Sequence, residues 1–228
     1  MSVQPLRRRR AARGSGDQLR EEILDAATDL LLETGQEKAV SIRSVAQRVG
    51  VTSPSIYLHF ADKEALLDAV CARYFERLDE AMRRVADDQP TTVDRLWAQG
   101  MAYVRFALRT PELYRIALMG EPRPGSDMDL ALNSSAFVHL CGSIESLIAE
   151  GVYPVCDVTE AALELLAVAH GVAALLISRP YLPFGEPEEF ADRVLRAACA
   201  GRIALGAVGF DATPSDAVAR LKGTLDGG

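Results

Sequence analysis

Aromatic residues make up only 6% of this 228-residue chain, tryptophan occurs once, and histidine occurs three times, as His59, His139 and His170. So small a stock of imidazole leaves little for metal ligation or acid–base catalysis. No HExxH, Walker loop, GxSxG or paired-carboxylate pattern is present, so neither an enzyme nor a cofactor is expected. A nucleophilic site could be assembled only by bringing Cys141 together with His139 and His170. The four cysteines, Cys71, Cys141, Cys156 and Cys199, lie far apart and make no CxxC or Cys/His ligand spacing. That argues against a zinc centre and a disulfide framework, and for reduced thiols in a cytoplasmic protein. Period-two alternation is missing as well, so the expected fold class is all-α. The N-terminal arginines lead into a charged segment and not an apolar run, so no signal peptide is expected. The longest apolar stretch, Ala161 to Ser178, is broken by Glu164 and His170 and reads as a buried helix, with no membrane partner expected.

The net charge of −7 is the wrong sign for a nucleic-acid binder, but the average conceals an asymmetry. Residues 1–60 carry nine Lys/Arg against seven Asp/Glu, which leaves about −9 for the remainder. A mildly basic end on an acidic body is what a protein that meets DNA at one end only would carry.

Punctuation by Gly, Pro and capping residues divides the chain into helices. Residues 1–16 are Arg- and Gly-rich without periodicity and read as a disordered arm. Asp17 is placed to cap a helix reaching Thr34, with Ile23, Ala27, Leu30 and Leu31 on one face and Gly35 as its stop. Ser41 caps the next, which ends at Gly50, and Pro54 opens the third. Asp62 caps a long helix to about Ala86. Further helices are expected from Thr91 or Thr92 to Thr110, from Pro111 to Met119, and over roughly 129–150, 158–178 and 187–207. A loop covers Gly120 to Ser126, and a loosely packed tail with room for one weak helix starts at Asp211. The chain divides into an arm at 1–16, a small helical head at 17–62, a long helix with a larger helical body at 63–210, and a tail at 211–228.

Val40 to Phe60 is the most informative stretch: two short helices hinged at a glycine, the arrangement that lays a second helix into a DNA major groove. Val40, Val45, Val49, Val51 and Ile56 have the spacing of a small shared core. Ser41 and Ser53 sit at helix starts, where hydroxyls and free N–H groups bind phosphate. Arg43 projects from the first turn, within reach of a phosphate or a guanine edge. Thr52, Ser53, Pro54 and Ser55 begin the second helix, whose first residues face bases. Tyr57, His59 and Lys63 follow, their polar ends suited to phosphates. Singly, a tyrosine, a histidine or a lysine here is an ordinary core or surface group; the order and spacing of all of them make the reading specific.

These residues resemble the tetracycline-repressor (TetR-like) family of bacterial transcriptional regulators. The likeness is carried by Ser41-Ile42-Arg43, Val45-Ala46, Gly50-Val51, Ser53 to Phe60 and Lys63-Glu64-Ala65-Leu66-Leu67, and covers about residues 17–70. It implies an all-α homodimer with a three-helix DNA-binding head, a long linking helix and a larger ligand-binding body. It implies that Ser41, Tyr57, His59 and Lys63 hold the phosphate backbone while Arg43, Ser53, Pro54 and Ser55 approach bases of a palindromic operator. Ser53 departs from members with a longer amide that reads adenine bidentately, so its direct readout is expected to be weaker. The Arg7–Arg10 run adds salt-dependent affinity or enters a minor groove. Ala169-His170-Gly171, followed by Ser178-Arg179-Pro180, looks like a subgroup with a His-Gly pair in the penultimate long helix.

In the body, Trp97, Met101, Val104 and Leu108 form one stripe by their spacing, joined by Tyr114, Leu118 and Phe137. Such a stripe is commonly plain core. Under the resemblance it becomes the wall of a pocket for a small hydrophobic effector, with His170 as a single polar anchor. The Ala- and Gly-rich segments 158–178 and 187–207 suit a four-helix homodimer interface, or burial against their own chain. Two rival readings remain beside a ligand-relieved repressor: a redox-responsive DNA binder using Cys71 or Cys141, and an effector-free DNA-binding protein.

Overall fold

The computed structural model describes residues 15–119 and 135–226. The arginine run Arg7–Arg10, the Gly120–Ser126 loop and the first residues of the helix expected from 129 lie outside them. Among the described residues there are ten α-helices and no strand. They are α1 (Ser15–Thr34), α2 (Ile42–Val49), α3 (Ser53–Tyr57), α4 (Lys63–Asp87) and α5 (Thr92–Arg109). Then come α6 (Pro111–Met119), α7 (Ser135–Ala149), α8 (Val158–Ser178), α9 (Pro187–Val208) and α10 (Pro214–Asp226). A single 3₁₀ turn, Glu37–Ala39, precedes α2.

Most boundaries fall where capping chemistry puts them. Asp62 Oδ1 accepts from Ala65 N–H at 2.7 Å and starts α4, and Asp157 Oδ1 accepts from Glu160 N–H at 2.9 Å to start α8. The first helix begins two residues before Asp17, which sits inside its first turn. The chain beyond Asp211 is helical from Pro214 to Asp226. It forms α10, which packs against α9, buries Ala217 and donates from Arg220 to the Val208 carbonyl.

By contacts the chain divides into two units, the first running to Glu76 and taking in the segment from Thr110, the second comprising Arg77–Arg109 and the chain from Asn133 onward. In the first unit α1 packs on α2 and α6, and α2 packs on α3. Ile23, Ala27, Leu31, Val40, Val45, Ile56, Leu66 and Tyr114 are fully buried there. Val49 and Val51, expected in the same small core, are only half-buried. Arg73 on α4 is tied to α1 through Asp25 at 2.9 Å, Glu21 at 3.3 Å and the Thr28 hydroxyl at 3.1 Å.

The second unit is a bundle in which α5, α8 and α9 pack pairwise and α7 packs on α5 and α8. Its core holds Leu96, Phe137, Leu140, Ile144, Leu147, Tyr153, Ala161, Ala162 and Cys199. Each fully buried aliphatic side chain here is worth about 1.5–3 kcal/mol over leaving it in water. By length and composition α8 is apolar enough to cross a membrane, with a mean hydropathy of 1.9 over its richest 18 residues. The core helix of a helical bundle meets the same test, and α8 buries Ala161, Ala162, Ala169, Val172, Ala173, Leu176 and Ile177. Its run of alanines follows from that packing, since small side chains let neighbouring helix axes approach.

Candidate functional site

Local chemistry fixes the hinge of the first unit. Ser41 N-caps α2: its hydroxyl oxygen accepts from Ser44 N–H at 3.1 Å while Ser44 Oγ accepts from Ser41 N–H at 2.9 Å. The helix ends on Gly50 at φ 77°, a left-handed conformation open to glycine without a steric penalty. Gly50 and Val51 N–H both donate to the Ala46 carbonyl, at 3.0 and 2.9 Å, so the chain reverses sharply into α3. Buried Val45, Ala46 and Ile56 then hold the two helices together.

What this hinge turns outward is a mixed polar face. Ser41, Arg43, Thr52, Pro54 and Tyr57 are exposed, while Ser53, Ser55, His59 and Lys63 are half-exposed. Thr52 and Ser55 hydroxyls share a hydrogen bond at 3.1 Å across the start of α3. No carboxylate among the described residues pairs with Arg43, whereas Arg48 is held to α1 by Glu33 and Asp29. The Arg48 hydrogen bond keeps the Glu33 carboxyl below the usual carboxylate range. Two expected phosphate ligands have partners within the chain. The Ser41 hydroxyl is engaged with Ser44, and Lys63 Nζ reaches the Glu37 carbonyl at 3.2 Å and its carboxylate at 3.4 Å. Two further residues share the exposed face without having been singled out from the sequence. Gln47 lies one helical turn beyond Arg43, and Leu58 is 84% exposed beside Tyr57. The i, i+4 spacing from Arg43 was the available signal for Gln47.

The second unit contains a narrow apolar cavity of about 40 Å³ lined by Met82 of α4, Leu96, Trp97, Gln99, Gly100 and Tyr103 of α5, Leu140 of α7, Leu165, Leu166 and Ala169 of α8, and Leu195, Ala198 and Cys199 of α9. A wider pocket of about 310 Å³, bounded by Val93, Asp94, Trp97, Arg196, Cys199, Ala200 and Ile203, shares Trp97 and Cys199 with it. Trp97 is the larger of the two side chains that line both. Its ring is clamped: Nε1–H donates to Asp192 Oδ1 at 3.0 Å, and the Arg196 guanidinium lies 5.5 Å from the ring centre. Arg196 in turn donates to both Asp192 oxygens, which keeps that carboxyl below its ordinary range.

Of the residues expected to wall a pocket, only Trp97 lines these spaces. Met101 and Val104 are buried, and Leu108 is half-buried, a face away from the cavity. Toward this cavity the helix presents Leu96, Gln99, Gly100 and Tyr103, a face about 100° round from Met101 and Val104. Phe137 belongs to the core on α7, and Tyr114 and Leu118 lie on α6 in the other unit. His170 stands beside the cavity wall through its hydrogen bond: its Nδ1 is 3.3 Å from the Tyr103 hydroxyl, and burial lowers its pKa. A second polar pair near the cavity is Gln99 Nε2–H donating to Ser143 Oγ at 3.0 Å. Gly100 matters because a Cβ there would stand 3.2 Å from Leu195 Cδ2. A glycine in mid-helix was the sequence signal for close approach at that point.

Two family models match the chain: bacterial regulatory proteins of the tetR family over residues 23–70, and the tetracyclin repressor-like C-terminal domain over residues 96–198. The nucleoid occlusion factor SlmA of Photobacterium profundum is 30% identical over 97 residues, which are 42% of this chain and 50% of that protein. The tetracycline repressor protein class D of Escherichia coli is 41% identical over 58 residues, 25% of this chain and 26% of that one. The chain thus spans half or less of the length of these curated relatives. Among solved structures, a protein with unknown function from Rhodococcus sp. RHA1 superposes with a TM-score of 0.72 at 25% identity, covering 88% of this chain and 100% of that one. The first family match falls on the hinge and its exposed polar face and the second on the cavity bundle: the chain belongs to the TetR family of bacterial transcriptional regulators.

Proposed function

We propose that this regulator is a repressor that binds a palindromic operator on double-stranded DNA as a homodimer and is released by a small hydrophobic effector. The observation that carries the reading is the pairing of an exposed Arg43–Tyr57 face on the hinge with an apolar cavity in the bundle. One recognition helix five residues long is a weak reader by itself. Two of them, related by a two-fold axis and set about 34 Å or a multiple apart, reach useful affinity. Leu163 and Leu175 on α8 and Leu205 on α9 are 40–45% exposed, an apolar surface suited to a second copy of the chain.

At about 40 Å³ the inner cavity holds little more than a water molecule, against the several hundred Å³ of typical ligand sites. An effector therefore has to widen it, and Trp97, which lines both spaces, is the side chain placed to move. The shape it would favour differs from the one described, which is what an inducer requires. One helix carries both ends of the coupling: α4 begins at Lys63 beside the DNA-facing residues and bears Met82 on the cavity wall. A near-complete switch requires about 5.5 kcal/mol of preference for the DNA-incompetent state. Its place of work would be the cytoplasm, where bacterial operators are.

The test is a pull-down of fragmented source DNA by the purified protein, with an Arg43→Ala/Tyr57→Ala double variant as control. A short enriched palindrome that disappears with the variant supports the reading; no enrichment from the intact protein refutes it. Titrating the recovered DNA complex with candidate apolar effectors then tests release.

A further inference from the structure

We propose that Cys156 is a modification site for small hydroperoxides, with Arg202 and Tyr153 as the groups that assist its oxidation to a sulfenic acid. Cys156 is half-buried in the segment between α7 and α8. Arg202 Nη2 lies 3.3 Å from its Sγ, and the guanidinium, 8% exposed, stacks 5.6 Å from the Tyr153 ring centre and 5.1 Å from that of Phe210. Glu164, on the solvent side, pairs with Nη1.

Two buried donors on the stacked Arg202–Tyr153 pair have no acceptor among the described residues: the Tyr153 hydroxyl, on a side chain 2% exposed, and Arg202 Nε–H. The Tyr153 hydroxyl is held protonated chiefly by burial, and Cys199, Arg202 and Cys156 all act on it electrostatically. A buried donor without an acceptor is costly, so a stacked pair that keeps two of them, one on the guanidinium that touches the sulfur, is suited to an oxygen-bearing ligand.

A hydroperoxide supplies that oxygen. The Cys156 sulfur attacks the terminal oxygen; an S–O bond forms as the O–O bond breaks, and the thiol proton passes to the departing oxygen. Sulfur is oxidised by two electrons, the peroxide is reduced to alcohol or water, and the product is Cys156 sulfenic acid. Negative charge develops on the departing oxygen, where a guanidinium N–H and a phenol O–H stabilise it. Two other thiols are disfavoured as nucleophiles by their surroundings. Burial raises the Cys199 pKa to about 11, and burial with the nearby Glu145 raises that of Cys141.

The full-length protein is exposed to hydrogen peroxide with a sulfenic-acid trap and, separately, to iodoacetamide, with each cysteine followed by mass spectrometry. Cys156 is expected to oxidise first. Tyr153→Phe, which keeps the ring, should slow that oxidation roughly tenfold or more while leaving alkylation of Cys156 unchanged. Oxidation of Cys156 no faster than that of Cys71 and Cys141 overturns the proposal, and this comparison needs no variant. Tyr153→Phe slowing both reagents alike, or neither, overturns it too.

Discussion

Trp97 and Asp192 are joined across 95 positions of sequence by an indole N–H to carboxylate hydrogen bond of 3.0 Å, and the Arg196 guanidinium lies 5.5 Å from the centre of the ring. Because Trp97 is the chain's single tryptophan and lines both the inner cavity and the outer pocket, its emission reports on both. An apolar molecule that enters should shift the emission to the blue. Asp192→Asn, which releases Arg196, should shift the emission of the free protein to the red. Steady-state fluorescence with Trp97→Phe as the silent control checks both. Unchanged emission under an effector that dissociates DNA would place the effector elsewhere.

On the DNA face the candidate contacts should not weigh equally. Arg43 has no carboxylate partner among the described residues, and Arg43→Ala should cost about 1–3 kcal/mol of operator binding. Lys63 is already engaged with Glu37, so Lys63→Ala should cost less and lower the salt slope by no more than about 0.9. Anisotropy titrations over a range of salt concentrations separate the two. Equal losses would mean that Lys63 leaves Glu37 on binding.

Gly50→Ala and Gly201→Ala are the same change with opposite expected signs. At Gly50 the backbone is left-handed, and a Cβ costs about 1–2 kcal/mol even though nothing lies within 4 Å. Gly201 sits within α9 in ordinary helical conformation with open space, so alanine there should gain up to about 1 kcal/mol. Denaturant midpoints of the two variants check this.

Burial lowers the His170 pKa, so the folded protein prefers the neutral ring. As pH falls below the free-histidine value of about 6.5, the unfolded chain takes up the proton more readily than the folded one, and this contribution to stability is lost. The melting temperature of His170→Gln should therefore fall less between about pH 8 and pH 5.5 than that of the unaltered chain. An identical fall would mean that the ring is as easily protonated in place as in the unfolded chain.

The helical punctuation was legible because caps and breakers are local. Asp62, Gly50 and the prolines at 54 and 111 act on their immediate neighbours, and helices begin or end there. The hinge was legible for the same reason: its chemistry lies within one short run of consecutive residues. The cavity was harder to read. The Trp97–Met101–Val104–Leu108 stripe is a correct helical face, but α5 is apolar on more than one side, so periodicity could not say which side meets α8 and α9. Cys199, Leu195 and His170 come from helices far downstream, and no local spacing ties them to Tyr103 or Trp97.

The sequence by itself determined the helices, the glycine hinge and the polar face that it turns outward, because each rests on contacts between residues a few positions apart. Only the tertiary structure decided how those side chains are engaged. It tied Lys63 to Glu37 and Ser41 to Ser44, turned Gly100 and Tyr103 toward the cavity in place of Met101 and Val104, and set Arg202 against Cys156. Apart from the Ser41–Ser44 cap, these pairings depend on how helices pack, and packing chooses among several apolar faces that local periodicity leaves equivalent.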